Sequence, residues 1–297
     1  MAVAIRDGQY ATLPNGTRLH YASAGEAGRP LLLFLHGFPE FWFAWNAQLA
    51  EFGQDYFAVA PDLRGFNLSD MPADVASYKP RLIMQDITQF IAHLGHADCI
   101  MVAHDWGGAV AWNIAITHPE FIRKLIIINA THPYPFAMGL VHDPAQQAAS
   151  AYMNWLRNPG SEQALAKDNF RVMEQFMLGM GEQPGWFDDA IRERYHACWA
   201  RGLTGGVNYY RASPLHPPTE EDSGAARLSL DPSNFHVRVP VRVIWGEKDK
   251  ALLPNLLNGL DEFVSDLQIE RLPNASHWVV HEYPAIINEW LHRFLSE

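Results

Sequence analysis

The residue with the clearest capacity for chemistry is Asp105, in the sequence His-Asp-Trp-Gly-Gly at residues 104–108. An apolar, strand-like segment precedes it, and a helix-compatible segment, 109–117, follows. This arrangement is typical of a nucleophile held on a tight turn between a strand and a helix. A carboxylate there is a poor nucleophile towards esters, but it can attack a saturated carbon and form an alkyl ester. By itself, such an Asp is more often a surface turn or helix cap, so other residues must decide.

Two further ionisable residues follow Asp105 in the chain order nucleophile, acid, base. Asp249 comes shortly after an apolar segment, and His277 lies late in the chain. A carboxylate in such a set orients the histidine as a base. The carboxylate that orients the histidine could instead lie after the predicted strand 125–128, but that position holds the uncharged Asn129. Each residue alone could be an ordinary loop acid or histidine, whereas the three in this order predict a triad.

Five apolar segments, each followed by a turn, predict strands that are buried on both faces of a sheet. They are residues 31–35, 56–60, 99–103, 125–128 and 241–245. Helical spacing occurs between them, for example in Ile87, Phe90, Ile91 and Leu94, with Gly95 at the expected helix end. Strands that alternate with helices predict an α/β fold.

The alternation stops between about residues 131 and 231, where helix-compatible segments rich in aromatic residues and Met replace the strand patterns. The Pro-rich stretch 213–218 closes this region. The change predicts a helical cap inserted into the sheet domain. The predicted boundaries are 1–132 for the first part of the core, 133–232 for the cap and 233–297 for the second part of the core.

Four motifs together resemble the epoxide hydrolase branch of the α/β-hydrolase fold superfamily, which is related to the haloalkane and fluoroacetate dehalogenases. They are His-Gly-Phe-Pro-Glu-Phe-Trp at 36–42, His-Asp-Trp-Gly-Gly at 104–108, Trp-Gly-Glu-Lys-Asp at 245–249 and Ser-His-Trp at 276–278. The resemblance implies a mostly parallel central sheet flanked by helices, with an inserted helical cap. It also implies an oxyanion hole made by the backbone N–H groups of Phe38 and Trp106, which we expect to border the substrate pocket.

The same resemblance assigns two tyrosines of the cap as proton donors to the epoxide oxygen. The segment Asn-Tyr-Tyr-Arg at 208–211 looks like the family's Asn-aromatic-Tyr-Arg sequence, which points to Tyr210. Tyr152, seven residues before Pro159, resembles the position of the second donor. This second match is looser, and the alternative for Tyr152 is a place in the apolar core of the cap.

The implied reaction is hydrolysis of an epoxide to a vicinal diol, through a hydroxyalkyl ester on Asp105. His277, oriented by Asp249, activates the water that cleaves this ester. The implied partners are a small apolar epoxide, or a halogenated compound under the alternative below, and water.

The main alternative is a haloalkane or haloacid dehalogenase that uses the same triad. Haloalkane dehalogenases usually have Asn where this chain has Phe38, which removes one halide donor. Fluoroacetate dehalogenases keep Phe there, but they carry arginines in the elbow where this chain has Trp106 and Ala109. An esterase would need Ser in place of Asp105, and a binding protein that retains only a hydrolase shell would be expected to lose a triad residue.

The composition and charge of the chain argue against other functional classes, such as nucleic-acid-binding, membrane-spanning and metal-binding proteins. The net charge of −11 is dispersed and there is no basic cluster, so nucleic acid is not an expected partner. No apolar stretch approaches the length of a membrane span, and the two cysteines fit no metal motif, so we expect a cytoplasmic protein without metal or cofactor. A homodimer is left open. His36 and His104 are expected to hold loops, and no ligand spacing is formed by the remaining candidates His93, His96, His118 and His132.

Overall fold

Eight strands form one sheet in the computed structural model, which describes residues 3–181 and 184–297. They are β1 (Arg6–Thr12), β2 (Arg18–Ala24), β3 (Leu31–Leu35), β4 (Phe57–Pro61), β5 (Cys99–His104), β6 (Ile122–Ile128), β7 (Val241–Gly246) and β8 (Leu267–Leu272). Their order across the sheet is β1-β2-β4-β3-β5-β6-β7-β8. Strand β2 is antiparallel to both neighbours, and the other pairs are parallel. This topology confirms the predicted α/β-hydrolase fold.

The strands that the sequence predicted are β3 to β7, which lie side by side and parallel in the sheet. Every residue of β3, β4, β5 and β7 is buried, because helices cover both faces of a parallel sheet, and such strands consist of apolar runs. The strands without a prediction are β1, β2 and β8, which carry charged and polar residues and leave several side chains exposed. Their sequences therefore lack the apolar run on which the prediction depended.

Eleven α-helices occur in the described residues, and none of them is long and apolar enough to cross a membrane. They are α1 (Asn46–Phe52), α2 (Pro80–His93), α3 (Asp105–Thr117), α4 (Pro133–His142), α5 (Pro144–Ala149), α6 (Ala151–Arg157), α7 (Ser161–Gly179), α8 (Asp189–Trp199), α9 (Thr204–Ala212), α10 (Val279–Glu282) and α11 (Pro284–Ser296). Helix α2 contains the predicted helical spacing, and Gly95 just beyond it has a φ of 84°.

The segment between β6 and β7 contains α4 to α9 and, in its described residues, no strand. It packs onto loops that follow the carboxyl ends of the strands. The indole of Trp199 donates to the Pro39 carbonyl after β3, and the hydroxyl of Tyr209 donates to the Arg64 carbonyl after β4. The segment therefore covers the carboxyl ends of the parallel strands, where the loops of such a sheet form ligand sites. The exact cap boundaries, 132/133 and 232/233, stay a prediction.

Candidate active site

Asp105 lies where β5 ends and α3 begins, and its φ of 49° is left-handed, which is rare for a residue other than glycine. The tight turn requires close backbone contacts on both sides. A Cβ added to Gly107 would lie 2.4 Å from the Leu35 carbonyl oxygen, and a Cβ added to Gly37 would lie 2.1 Å from Asp105 Oδ1. Gly37 therefore leaves room for the Asp105 carboxylate, and Gly107 allows the turn to approach the end of β3.

We predict that Gly107→Ala destabilises the fold, because the added methyl group meets backbone that cannot move without disturbing β3. The expected cost is at least about 1–3 kcal/mol in the free energy of unfolding, measured by chemical denaturation. Gly179→Ala is the matched control, since a Cβ there would have no atom within 4 Å. It should be neutral or slightly stabilising. Equal stability of Gly107→Ala and wild type would contradict the close approach.

Asp249 and His277 meet Asp105 at the carboxyl ends of β5, β7 and β8. His277 Nε2 lies 3.5 Å from Asp105 Oδ2, and His277 Nδ1 lies 2.7 Å from Asp249 Oδ2. The other oxygen of Asp249 accepts the backbone N–H groups of Ala251 and Leu252 at 2.8 and 2.9 Å. The predicted acid, base and nucleophile thus lie in one line, with a hydrogen bond between Asp249 and His277 and an ion-pair contact between His277 and Asp105.

Asn129 supports the acid and does not replace it. It follows β6 with a φ of 37°, and its Nδ2 donates to Asp249 Oδ2 at 2.7 Å. Its Oδ1 accepts the Gly246 N–H at 2.8 Å, which ties the end of β6 to the end of β7. The amide therefore fixes the direction of the Asp249 carboxylate while adding no charge.

The two carboxylates change the protonation of His277. Burial alone would lower the pKa of this imidazole, but the charge of Asp249 and the hydrogen bond with Asp105 outweigh it and raise the pKa to about 10. Burial would raise the pKa of Asp249, and the nearby His277 instead holds it below its usual value. The resting site is therefore an imidazolium between two carboxylates.

The two predicted oxyanion residues both adjoin Asp105, Phe38 through a hydrogen bond and Trp106 as the next residue of the chain. The N–H of Phe38 donates to Asp105 Oδ1 at 2.7 Å. Trp106 is the second residue of α3, where backbone N–H groups have no acceptor within the helix. Its indole borders the cavity above Asp105, whereas the ring of Phe38 packs against Tyr210 and Phe176 at centroid distances of 5.4 and 6.1 Å.

Tyr152 of α6 and Tyr210 of α9 border the same cavity as Asp105, with their ring centroids 6.1 Å apart. Burial raises the pKa of each phenol above its usual value, and the negative charge of Asp105 raises both further. Both therefore remain protonated at neutral pH. Tyr209, the neighbour of Tyr210, differs because its hydroxyl donates to the Arg64 carbonyl.

The cavity has a volume of about 70 Å³. Its polar lining consists of Asp105, the two phenols and the side chains of Asn113, Thr131 and Ser213, and its apolar walls include Phe136, Met153 and Leu252. Within residues 3–181 and 184–297, no group of three side chains could hold a metal ion. The arrangement places one carboxylate and two neutral phenol hydroxyl groups around the same small cavity.

A buried carboxylate network behind His277 escaped the sequence analysis. Glu40 accepts the Tyr195 hydroxyl at 2.9 Å and contacts His281 Nε2 at 2.5 Å and His104 Nδ1 at 3.2 Å. Burial would raise the pKa of Glu40, but His281 and His104 hold it well below its usual value. His104 Nε2 in turn lies 2.9 Å from the His277 carbonyl oxygen. The network thus fixes the backbone that carries the base.

Only part of this network had a signal in the sequence. Glu40 lies in the same motif as Phe38, so a carboxylate beside the elbow could have been noticed. Tyr195 and His281 are separated from it by about half and most of the chain, and no local pattern connects them. Their contact with Glu40 follows from the way α8 and α10 fold back onto the loop after β3.

A carboxylate on the turn after a parallel strand, with its acid and histidine after later strands, defines an α/β-hydrolase. The family model described as alpha/beta hydrolase fold matches residues 30–284. The chain is 34% identical over 285 residues to the AB hydrolase superfamily protein YfhM of Bacillus subtilis (strain 168), covering 95% of this chain and 96% of that protein.

Several relatives with a more specific name are epoxide hydrolases. The chain is 34% identical over 292 residues to Epoxide hydrolase 4 of Homo sapiens, covering 95% of this chain and 77% of that protein. A crystal structure of the Bacillus megaterium epoxide hydrolase with an inhibitor matches with a TM-score of 0.89 and 36% identity, over 97% of this chain and all of that one. The chain therefore belongs to the epoxide hydrolases.

Proposed function

We propose that this protein hydrolyses epoxides to vicinal diols through a covalent hydroxyalkyl ester on Asp105. The observation that carries the proposal is the pair of protonated phenols, Tyr152 and Tyr210, that border the same small cavity as the carboxylate. Opening an epoxide requires a nucleophile at carbon and a proton donor at oxygen, and this cavity supplies both. Family membership supports the same reaction.

In the first step, Asp105 Oδ2 attacks the less hindered carbon of the epoxide. Asp105 Oδ1 already accepts the Phe38 N–H, which leaves Oδ2 for the attack. The carbon–oxygen bond of the ring breaks, and its electron pair goes to the ring oxygen. Tyr152 and Tyr210 hydrogen-bond to this oxygen, and one of them gives it a proton, so that a hydroxyalkyl ester and a tyrosinate result.

The charge change at Asp105 prepares His277 for the second step. While Asp105 is a carboxylate, the pKa of about 10 keeps His277 protonated at neutral pH. The ester is neutral, so one of the two negative neighbours of the imidazolium disappears and its pKa falls. The proton that His277 releases restores the tyrosinate to a phenol. The base is thus free only when there is an ester to hydrolyse.

In the second step, His277 Nε2 removes a proton from water, and the oxygen of this water attacks Cγ of the Asp105 ester. Asp249 stabilises the imidazolium that forms. The negative charge develops on Oδ1, next to the N–H of Phe38 and, we propose, that of Trp106. Collapse of this intermediate breaks the ester bond, and the proton on His277 goes to the departing diol oxygen. The second proton of the water, now on the Asp105 carboxyl group, passes to His277 and restores the resting carboxylate and imidazolium.

Dehalogenation is the second candidate, and the cavity favours it less. A halide leaves without a proton, so two buried phenols would have no role, and Trp106 is the one indole beside Asp105 along the described cavity wall.

We further propose that residues 133–232 form a lid that carries both phenols over a core of 1–132 and 233–297. The substrate is a small molecule that reacts with water, and a cytoplasmic location and a homodimer stay predictions.

Loss of the acid should impair the second step most. In Asp249→Asn, we expect kcat to fall by about 10²–10⁴-fold, because the amide carries no charge and can donate to His277 Nδ1, which leaves the proton on Nε2. The pKa of His277 should fall below about 10, since a charge that raises it is gone. Steady-state kinetics and NMR titration of the imidazole measure both effects.

Asp261→Asn, at an exposed aspartate, is the control for removing one negative charge and should leave both quantities unchanged. Near-full activity in Asp249→Asn, or an unaltered His277 titration, would mean that another carboxylate supports the base.

The proposed reaction is tested by a substrate panel of styrene-type epoxides, aliphatic epoxides, haloalkanes and haloacetates, with diol and halide release as readouts. We expect diol from epoxides and little halide. A single turnover in water labelled with heavy oxygen should give unlabelled diol and place the label in Asp105, because the diol oxygen comes from the carboxylate. Label in the diol after the first turnover would exclude the ester. Faster halide release than diol release would favour the dehalogenase.

A further inference from the structure

A second and larger cavity adjoins the one that holds Asp105. Its volume is about 220 Å³, compared with about 70 Å³ for the catalytic cavity. Its own walls come from the start of α2 and from the chain that leads towards β7, and they include Pro80, Met84, Leu228, Leu230 and Phe235. These side chains are apolar, and none of them has a place in the reaction proposed above.

Six residues border both cavities: Trp106, Ala109, Asn113, Pro133, Ser213 and Leu215. Because the same residues face both spaces, the two cavities are direct neighbours across these side chains. Ser213 and Leu215 lie on irregular chain after α9, so one side of the boundary is a loop. The boundary is therefore thin, and it starts at Trp106, next to the nucleophile.

The two polar side chains of this boundary have hydrogen bonds within the protein. Asn113 Nδ2 donates to the Ala109 carbonyl at 2.7 Å, and Ser213 Oγ accepts the Leu215 N–H at 3.1 Å. An apolar group that passes between them would leave these bonds intact. The boundary thus admits hydrocarbon at a low cost in lost hydrogen bonds.

The volumes indicate what the second cavity can hold. An apolar protein cavity of about 150 Å³ accepts benzene. The catalytic cavity, at about 70 Å³, is smaller than this and suits the epoxide ring with its nearest atoms. The second cavity, at about 220 Å³, has space for an aromatic ring or for a chain of about six or more carbons.

We propose that the second cavity is a binding subsite for the apolar substituent of the epoxide, and that the substrates are epoxides with one large aryl or alkyl arm. The proposal rests on the proposed function, since it assumes that the reacting carbon lies at Asp105. The arm extends past Trp106, between Asn113 and Ser213, and packs against Met84 and Leu230. Burial of the arm supplies the binding free energy that a small epoxide lacks.

The test compares decyloxirane, which has a long arm, with methyloxirane, which has only a methyl group. Wild type should have the higher kcat/KM for decyloxirane. Met84→Trp fills the subsite from α2, and Leu230→Trp fills it from the opposite chain segment. Each should lower the ratio of kcat/KM for decyloxirane to that for methyloxirane by about tenfold or more, since one methylene of misfit already changes discrimination by about 10–200-fold.

Gln85→Trp is the matched control, because Gln85 is the exposed neighbour of Met84 on α2. It adds the same indole outside the cavity and should leave the ratio unchanged. Since the readout is a ratio, partial unfolding of a variant lowers both rates and does not imitate the effect. Because the two filling variants lie on separate segments, the test can still be made if one of them does not fold.

The outcomes separate this inference from the proposed function. A selective loss for decyloxirane in both filling variants supports the subsite. Diol from both epoxides with an unchanged ratio in the filling variants, or no preference of wild type for the long arm, would overturn the subsite while the reaction stands. No diol from either epoxide with wild type would overturn the proposed function, and the subsite with it.

Discussion

The His277→Gln variant will take up one equivalent of epoxide and then stop. In the proposed reaction, ester formation needs the Asp105 carboxylate and the two phenols, whereas ester hydrolysis needs a base that glutamine cannot provide. The tyrosinate left by the first step can recover its proton from solvent. Intact mass spectrometry should therefore find the protein heavier by the mass of one substrate molecule.

Turnover in the same variant should fall by about 10²–10⁴-fold, the usual contribution of a general base. Asp105→Asn is the control, because its amide cannot form the ester, and it should show neither adduct nor turnover. If folded His277→Gln shows no adduct with an epoxide that wild type hydrolyses, the two-step reaction is wrong.

The second large effect is expected when both phenols are removed. Loss of one hydrogen-bond donor to a developing oxyanion costs about 10²–10³ in rate. Tyr152→Phe or Tyr210→Phe alone should stay within that range and retain partial activity, because the other phenol still donates. The double variant should lose far more, since an alkoxide would have to leave without assistance. The decrease should appear in the rate of ester formation in a single turnover.

Tyr209→Phe is the matched control for the double variant. Tyr209 is buried beside Tyr210 on the same helix, but its hydroxyl donates to the Arg64 carbonyl. Its loss should lower stability by about 0.5–1.5 kcal/mol and leave ester formation largely unchanged. A double variant that still opens epoxides at nearly the wild-type rate, or that releases halide from alkyl halides faster than wild type makes diol, would replace the epoxide proposal with dehalogenation.

Much of the core followed from local sequence. Residues 31–35 are a run of five apolar residues, and the strand there has the same bounds because both faces of a parallel strand are buried. The elbow could be predicted only together with other residues, because an Asp shortly before two glycines is by itself more often a surface turn or helix cap, and the later positions of Asp249 and His277 decided between these interpretations. The predicted order of the triad needed only that Asp249 follow an apolar strand and that His277 lie late in the chain.

The tertiary structure alone decided the features that depend on distant segments. The position of β8 beside β7 brings His277 within 2.7 Å of Asp249, and the return of α8 brings Tyr195 to Glu40. Asn129 was expected only to lack a charge, and its two hydrogen bonds to the end of β7 could be found only once β6 and β7 were paired.

The second cavity shows most clearly what local sequence could not predict. Met84 precedes the elbow by 21 residues and Leu230 follows it by 125, yet both border a cavity that adjoins Trp106. Apolar side chains have the same local pattern whether they fill a core or leave a gap in it. The sequence by itself therefore determined which residues are candidates for the reaction and which strands precede Asp105 and Asp249, because those two strands are mostly apolar runs. The shape of the cavity depends on how helices from separate parts of the chain pack together, and only the tertiary structure decided it.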